Sequence, residues 1–249
     1  MRTTILGPLL ALLAVIVAWE AVVSALRLPP QVLPGPSLVL TTLWMARAPI
    51  LEHSAVTLLR TLVGFGLGIV VGVGLGLAIG YWRIVNAALS PLVTAFYCLP
   101  KAAVVPIFLL WVGLGTRPAV LTSLSIAFFP ILVNVVTGLS TIDPDLADLF
   151  RSFGGRKRQI FWKVGLPGSL PYFFASLRVA GPSALVGVVI AEMLAASNGL
   201  GYVMLLAGSN FNMGLMFAVV LMMAALGGLT YVACAYADRK FAWWAYRAK

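Results

Sequence analysis

Six long apolar runs separated by more polar segments constrain the fold of this chain more than any other feature. They occupy residues 6–26, 58–81, 92–114, 120–139, 172–194 and 213–236. Each run is close to the roughly 20 apolar residues that a helix needs to cross a bilayer. A membrane β-barrel would instead show segments of about ten residues with alternating polarity, and the sequence has none. We therefore predict an all-α integral membrane protein with six transmembrane helices, built as a single membrane domain over residues 1–249.

The composition agrees with a membrane location. Hydrophobic residues make up 61% of the chain and charged residues only 10%, whereas a soluble domain carries about 25% charged residues. The net charge of +10 is also typical of nucleic-acid-binding proteins. The basic residues fall between the apolar runs, however, and form no aromatic-rich surface. We therefore predict contact with the lipid bilayer and not with nucleic acid.

The basic residues also predict the orientation in the membrane. If the N-terminus is cytoplasmic, twelve Lys and Arg residues lie on the cytoplasmic side, and four lie on the other side: Arg27, Arg47, Arg60 and Arg117. Lys101 falls inside the third run. Because cytoplasmic loops are enriched in Lys and Arg, we expect both termini to be cytoplasmic.

The first apolar run has an alternative interpretation. Arg2, followed by an apolar stretch and small residues, also fits a cleaved signal peptide. The run continues past Glu20 to a length that can cross a membrane, so we favour a retained helix.

One charged segment, residues 143–171, lies between the fourth and fifth runs. A segment this polar is costly in lipid and is expected to project into water. Asp143 predicts the start of a short helix and Gly154 its end, and a second short helix then runs to Leu166 and Pro167. The first helix carries an apolar stripe, and its members are Leu146, Leu149, Phe150 and Phe153. An exposed stripe on such a helix predicts a groove on a partner protein.

The same segment resembles the signature loop of ABC-importer permeases. The matching residues are Asp148, Leu149, Phe150, Gly154, Val164, Leu166 and Pro167. They follow the family's spacing of an acid-Ala-Ala triplet, three residues, a Gly, nine residues and Ile-x-Leu-Pro. Asp148 replaces the usual Glu, and Leu149 with Phe150 replace the paired Ala. In the family this loop forms a coupling helix that docks on the ATP-hydrolysing subunit, so the resemblance implies that role for loop 141–171.

The resemblance extends over most of the chain. The segments LPGPSLVL from Leu33, LPKAAVVPIFLLWVGLG from Leu99 and AEMLAASNGLGYVM from Ala191 are similar to permeases for nitrate, sulfonates, taurine and related solutes. The resemblance implies a type I ABC importer permease fold in the inner (plasma) membrane of a prokaryote. It also implies partners: two ABC ATPase subunits, a second permease copy in a homodimer, and a periplasmic or extracytoplasmic solute-binding protein.

No catalytic, cofactor-binding or metal site is predicted. The chain has no GxxxxGK[ST] loop to hold a nucleotide phosphate, so ATP hydrolysis is expected from a separate subunit. Cys98 and Cys234 lie far apart in membrane runs. His53 is the single histidine, and we expect it in a solvated loop. The chain is therefore predicted to be a transport subunit without a cofactor, not an enzyme.

Three polar residues inside the runs are candidates for a translocation path: Lys101, Asn134 and Glu192. Pro100 and Pro106 are expected to break the third helix around Lys101, whose cation would suit an anionic solute. Each candidate has a plainer alternative. Lys101 can snorkel to the membrane interface, Asn134 can hydrogen-bond to another helix, and Glu192 can serve a structural or gating role.

Gly64, Gly68, Gly72, Gly76 and Gly80 recur every four residues along the second run. Such a ladder places a smooth face on one side of a helix, where another backbone can approach closely. We predict packing within the chain, with a helix that slides during transport as the alternative.

Two other classes of function compete with an ABC importer permease for a small solute. A secondary transporter driven by an ion gradient would show inverted repeats and buried acids, and we find no convincing repeat. A membrane enzyme would need a cluster of catalytic groups. We favour the importer permease, with an anion such as a sulfonate, taurine, nitrate or an organic acid as its solute.

Overall fold

The computed structural model describes residues 3–141 and 144–243. Over these ranges every regular element is helical, which confirms the predicted all-α class. The helices are α1 Thr3–Ala25, α2 Pro36–Met45, α3 Arg47–Tyr81, α4 Arg83–Cys98, α5 Lys101–Val112, α6 Thr116–Ser140, α7 Pro144–Ser152, α8 Lys157–Ile160, α9 Leu166–Ala195, α10 Leu200–Ser209 and α11 Met213–Phe241. A π-helical turn, Phe161–Gly165, joins α8 to α9.

Four helical stretches of the described chain are long and apolar enough to cross a membrane: α3, α6, the continuous stretch Lys157–Ala195, and α11. The bent pair α4 and α5 makes a fifth if it counts as one span. The first predicted run is also helical, as α1, but its described apolar part, Leu10–Ala25, is shorter. A full count of six spans therefore stays a prediction.

The third predicted run is not one straight helix. The structure divides it into α4 and α5, which meet at 100° across Leu99 and Pro100. Leu99 is extended, with φ −67° and ψ 133°, as the residue before a proline prefers. Pro106 was expected to break the helix as well, but it lies inside α5 without ending it. Only the first of the two prolines terminates a helix.

The glycine ladder of α3 packs against α6. A Cβ added at Gly64 would lie 2.4 Å from Ser123 Cβ, and one added at Gly72 would lie 2.7 Å from the carbonyl oxygen of Phe128. Gly74, on another face of the same helix, has no atom within 4 Å of such a Cβ. The two backbones are therefore in close contact along the ladder, which confirms the predicted packing within the chain.

Helix α1 is joined to α2 by Glu20. The Glu20 carboxylate accepts hydrogen bonds from the Ser37 amide at 3.0 Å and from the Ser37 hydroxyl at 2.8 Å. Ser37 is the second residue of α2, where backbone amides have no partner inside the helix. One acid thus caps α2 and fixes it to α1.

We expect Gly72→Ala to destabilise the protein by about 1–3 kcal/mol, because the new methyl group overpacks the contact with α6. Gly74→Ala is the matched control, since its methyl group meets open space and alanine is the better helix former. Thermal unfolding of the detergent-solubilised variants measures both. Equal unfolding temperatures would contradict the close contact.

Candidate coupling hairpin and buried polar network

The charged segment folds as a hairpin of α7 and α8. The two predicted short helices are present, as Pro144–Ser152 and Lys157–Ile160. The predicted N-cap, Asp143, lies outside the described residues. Leu146, Leu149 and Phe153 are 46%, 50% and 83% exposed, and Phe150 is half-buried. The predicted stripe therefore lies on the protein surface of this chain.

The polar side of α7 carries an exposed ion pair. Arg151 donates to the Asp148 carboxylate at 2.6 Å, one turn along the helix. An exposed pair of this kind contributes little to stability, and the Asp148 side chain is 68% exposed.

Two glycines form the turn between the helices for different reasons. Gly154 has φ +77°, a left-handed conformation that glycine adopts without strain. Its amide donates to the Arg151 carbonyl at 2.9 Å. A Cβ added at Gly155 would lie 2.5 Å from the Phe150 carbonyl oxygen, which accepts the Gly155 amide at 2.8 Å. A larger residue at either position would distort the turn.

The hairpin continues into the membrane helix without a break. The second short helix was predicted to end at Leu166 and Pro167, but the structure is helical from Lys157 to Ala195. The π turn makes this possible, because the Leu166 amide reaches back five residues to the Phe161 carbonyl. Pro167, the second residue of α9, follows this turn and has no backbone amide to donate. The second arm of the hairpin and α9 therefore form one continuous helical stretch.

The hairpin also holds the last turn of α3. The Lys157 ammonium donates to the Tyr81 carbonyl at 3.1 Å and lies 5.1 Å from the Tyr81 ring centroid. The Tyr81 and Phe161 rings meet edge to face, with centroids 4.8 Å apart. Lys157 therefore caps α3 with the charge that a helix C-terminus favours.

Lys101 caps the broken end of α4. Its ammonium donates to the carbonyls of Phe96, Tyr97 and Leu99 at 2.5, 3.2 and 3.2 Å, and it lies 4.6 Å from the Phe96 ring centroid. The last carbonyls of a helix lack partners within the helix. The break at Pro100 frees these groups, and Lys101 satisfies them. A role in the translocation path remains a prediction for this residue.

Asn134 makes a local contact. Its side-chain amide donates to the Pro130 carbonyl at 2.8 Å, one turn earlier in α6. The expected alternative, a hydrogen bond to another helix, is not the contact that the structure gives it. Asn134 is half-buried. This bond does not test its predicted place on the translocation path.

Glu192 lies in a buried polar network at the far end of the helices from the hairpin. Its side chain is 0% exposed and pairs with Arg60, which is 4% exposed, at 2.8 Å. Thr57 donates to the same carboxylate at 2.9 Å, and so does the Gly201 amide at 3.0 Å. We call Thr57, Arg60, Thr116, Glu192 and Asn198 the Arg60 network.

One expectation about α3 is wrong, and another residue has a partner that was not predicted. Arg60, counted among the basic residues of the outer side, is buried and pairs with Glu192 of α9. His53 was expected in a solvated loop, but α3 begins at Arg47 and includes it. The Gly199 amide donates to His53 Nδ1 at 3.0 Å. A sequence clue existed: Arg60 falls inside the predicted second run, and a charge there needs a partner.

Comparison with known proteins agrees with this architecture. Residues 64–243 match the family model described as the inner membrane component of binding-protein-dependent transport systems. The chain is 34% identical to the formylaminopyrimidine transport permease ThiX of Halalkalibacterium halodurans, over 92% of this chain and 91% of the relative. It is 29% identical to a probable ABC transporter permease of Haemophilus influenzae, over 98% and 99%. It is also 29% identical to the putative aliphatic sulfonates transport permease SsuC of Bacillus subtilis, over 94% and 86%.

A solved structure shares the fold. A chain of the MetNI methionine ABC transporter, in an inward-facing conformation, superposes with a TM-score of 0.65 and 21% identity, over 84% of this chain and 98% of that one. This likeness confirms the predicted importer permease fold. Because the family model spans most of the sequence, the chain belongs to the inner membrane components of binding-protein-dependent transport systems, the permease subunits of ABC transporters.

Proposed function

We propose that this permease subunit works in an ATP-driven importer and moves a small solute handed over by a binding protein. The observation that carries the proposal is the α7–α8 hairpin, which exposes an apolar stripe and is helical without interruption into α9. A surface of this kind suits a groove on an ATPase subunit. Two ATPase subunits, each on one copy of a permease homodimer, would then move two α9 helices together.

The mechanism is alternating access driven from the hairpin. ATP binding would bring the two ATPases together, and the docked hairpins would follow them. Since the hairpin also contacts the end of α3 through Lys157 and Tyr81, its movement would reach the cytoplasmic end of α3 as well as α9. Because the ATPases are cytoplasmic, the hairpin and both termini would face the cytoplasm, in agreement with the distribution of Lys and Arg.

We propose a small anion as the solute, such as a sulfonate, taurine, nitrate or an organic acid. The relative SsuC is named for aliphatic sulfonates, and Lys101 is a cation inside a broken span. A heteroaromatic vitamin precursor is the second candidate, because ThiX is named for formylaminopyrimidine and another relative, RibX of Chloroflexus aurantiacus, for riboflavin. Uptake assays with labelled taurine and labelled formylaminopyrimidine distinguish the two.

An ion-gradient-driven transporter is less well supported by the site. Proton or sodium coupling needs an acid that can take up the coupling ion. Glu192 is the buried acid of α9, and Arg60, Thr57 and the Gly201 amide all bind it. A carboxylate bound by these three donors is not placed to take up a coupling ion.

The purified permease should hydrolyse no ATP by itself, because the sequence has no phosphate-binding GxxxxGK[ST] loop. Phosphate release, measured with and without the ATPase subunit, checks this. Steady hydrolysis by the isolated chain would overturn the proposed division of labour.

Phe150→Asp should weaken binding of the ATPase by about 3–5 kcal/mol, since an unpaired charge would enter the docking groove. Gly154→Val should weaken it as well, because valine strains the left-handed turn. Ser152→Asp is the control, as it adds the same charge on α7 away from the stripe. Affinity of the tagged permease for its ATPase is the measurement. Normal affinity for both Phe150→Asp and Gly154→Val would show that the hairpin is not the coupling element.

Lys101→Met should reduce solute uptake, because the cation that attracts an anion is lost while the apolar stem remains. Lys101→Arg should retain more uptake than Met, since the charge is kept. Thermal unfolding is measured in parallel, because loss of the cap on α4 removes charged hydrogen bonds of about 1.5–3 kcal/mol each. Full uptake by a folded Lys101→Met protein would exclude this residue from the translocation path.

A further inference from the structure

We propose that Arg60 is a positioning residue that locks the outer end of the translocation path, and that the lock opens once per transport cycle. The inference rests on the proposed function, because that function makes the hairpin cytoplasmic. Arg60 lies 21 residues before Tyr81 on α3, or ~32 Å along the helix at its rise per residue. The Arg60 network is therefore at the opposite, outer end of the bundle.

A single guanidinium joins three other segments to α3. Arg60 donates to the Glu192 carboxylate at the end of α9 at 2.8 Å, and to the carbonyl and side-chain oxygens of Asn198 before α10 at 3.0 and 2.6 Å. It also donates twice to the Thr116 hydroxyl at the start of α6, at 3.3 and 3.2 Å. All the donor groups of the side chain are used. Separation of any one segment breaks bonds to this residue.

The start of α10 is bound to the same network. The Leu200 amide donates to the Thr57 hydroxyl at 2.8 Å, and the Gly201 amide donates to the Glu192 carboxylate at 3.0 Å. Gly199, with φ +103°, lies so near that an added Cβ would fall 2.2 Å from a Glu192 oxygen. The α9–α10 turn is thus positioned by polar groups of α3 and α9 that meet at one carboxylate.

A buried ion pair gives the Arg60 network two alternative states, closed and parted. A dry pair is strongly unfavourable to separate, because each charge is then left buried and unpaired. Entry of water removes this penalty by solvating both charges. The network is therefore stable when the outer path is closed and dry, and free to part when α3 and α9 move and the path fills with water. Switching between two such arrangements is how packed helices convert a small shift into opening.

The lock is tested by ATP hydrolysis without the binding protein. The tagged permease is purified with its ATPase subunits, placed in lipid nanodiscs, and supplied with ATP alone. We expect Glu192→Gln to raise hydrolysis about tenfold, equivalent to ~1.4 kcal/mol, because the outward-open state no longer has to break the ion pair. Thr116→Val and Asn198→Ala keep the ion pair and should give smaller increases.

The control is Arg47→Gln. Arg47 is an exposed arginine at the start of α3, and it donates to the Trp44 carbonyl outside the network. Its rate should equal that of the unaltered complex. If Glu192→Gln does not assemble, Thr116→Val and Asn198→Ala decide the question. A lower unfolding temperature with no increase in hydrolysis would make the network a static brace and overturn the lock. Failure of the unaltered permease to capture any ATPase would instead overturn the proposed function.

Discussion

Backbone hydrogen bonding in lipid is the constraint on which the rest of this structure depends. A bilayer offers no water to unpaired amides and carbonyls, so a spanning chain must satisfy them internally. Helices do this along their length but leave groups free at each end. In this protein three of those ends are met by charged side chains. Lys101 covers the end of α4, Lys157 the end of α3, and Glu20 the start of α2.

The hairpin and the far end of the bundle place their charges differently. The hairpin exposes the apolar stripe of α7 and the Arg151–Asp148 ion pair. The far end buries an arginine and a glutamate among threonines and backbone amides. Helix α9 runs from one end to the other, and α3 runs beside it with the glycine face of α3 held against α6. Helices α3 and α9 therefore connect the hairpin to the Arg60 network at the opposite end.

Local pattern predicted most of the helices and the hairpin, because length of apolar runs, glycine turns and helical spacing are properties of neighbouring residues. The glycine ladder also predicted its own contact, since small residues every four positions leave room for a backbone. The Arg60 network could not be predicted in this way. Arg60 and Glu192 lie 132 residues apart, and their pairing depends on the depth at which two helices pass each other. Pro100 predicted the bend after α4. The cap supplied by Lys101 could not be predicted, because it depends on the direction in which the Lys101 side chain points.

The π turn between the hairpin and α9 sets a direction as well as a connection. One extra residue in a helical turn rotates everything beyond it by about 100° around the axis relative to an uninterrupted α-helix. The stripe of α7 therefore faces where it does because Phe161–Gly165 is wound more loosely than its neighbours. Rewinding the same five residues as an α-helix would leave both helices intact and turn the stripe to another side of the bundle. The direction in which the hairpin faces therefore depends on the winding of these five residues.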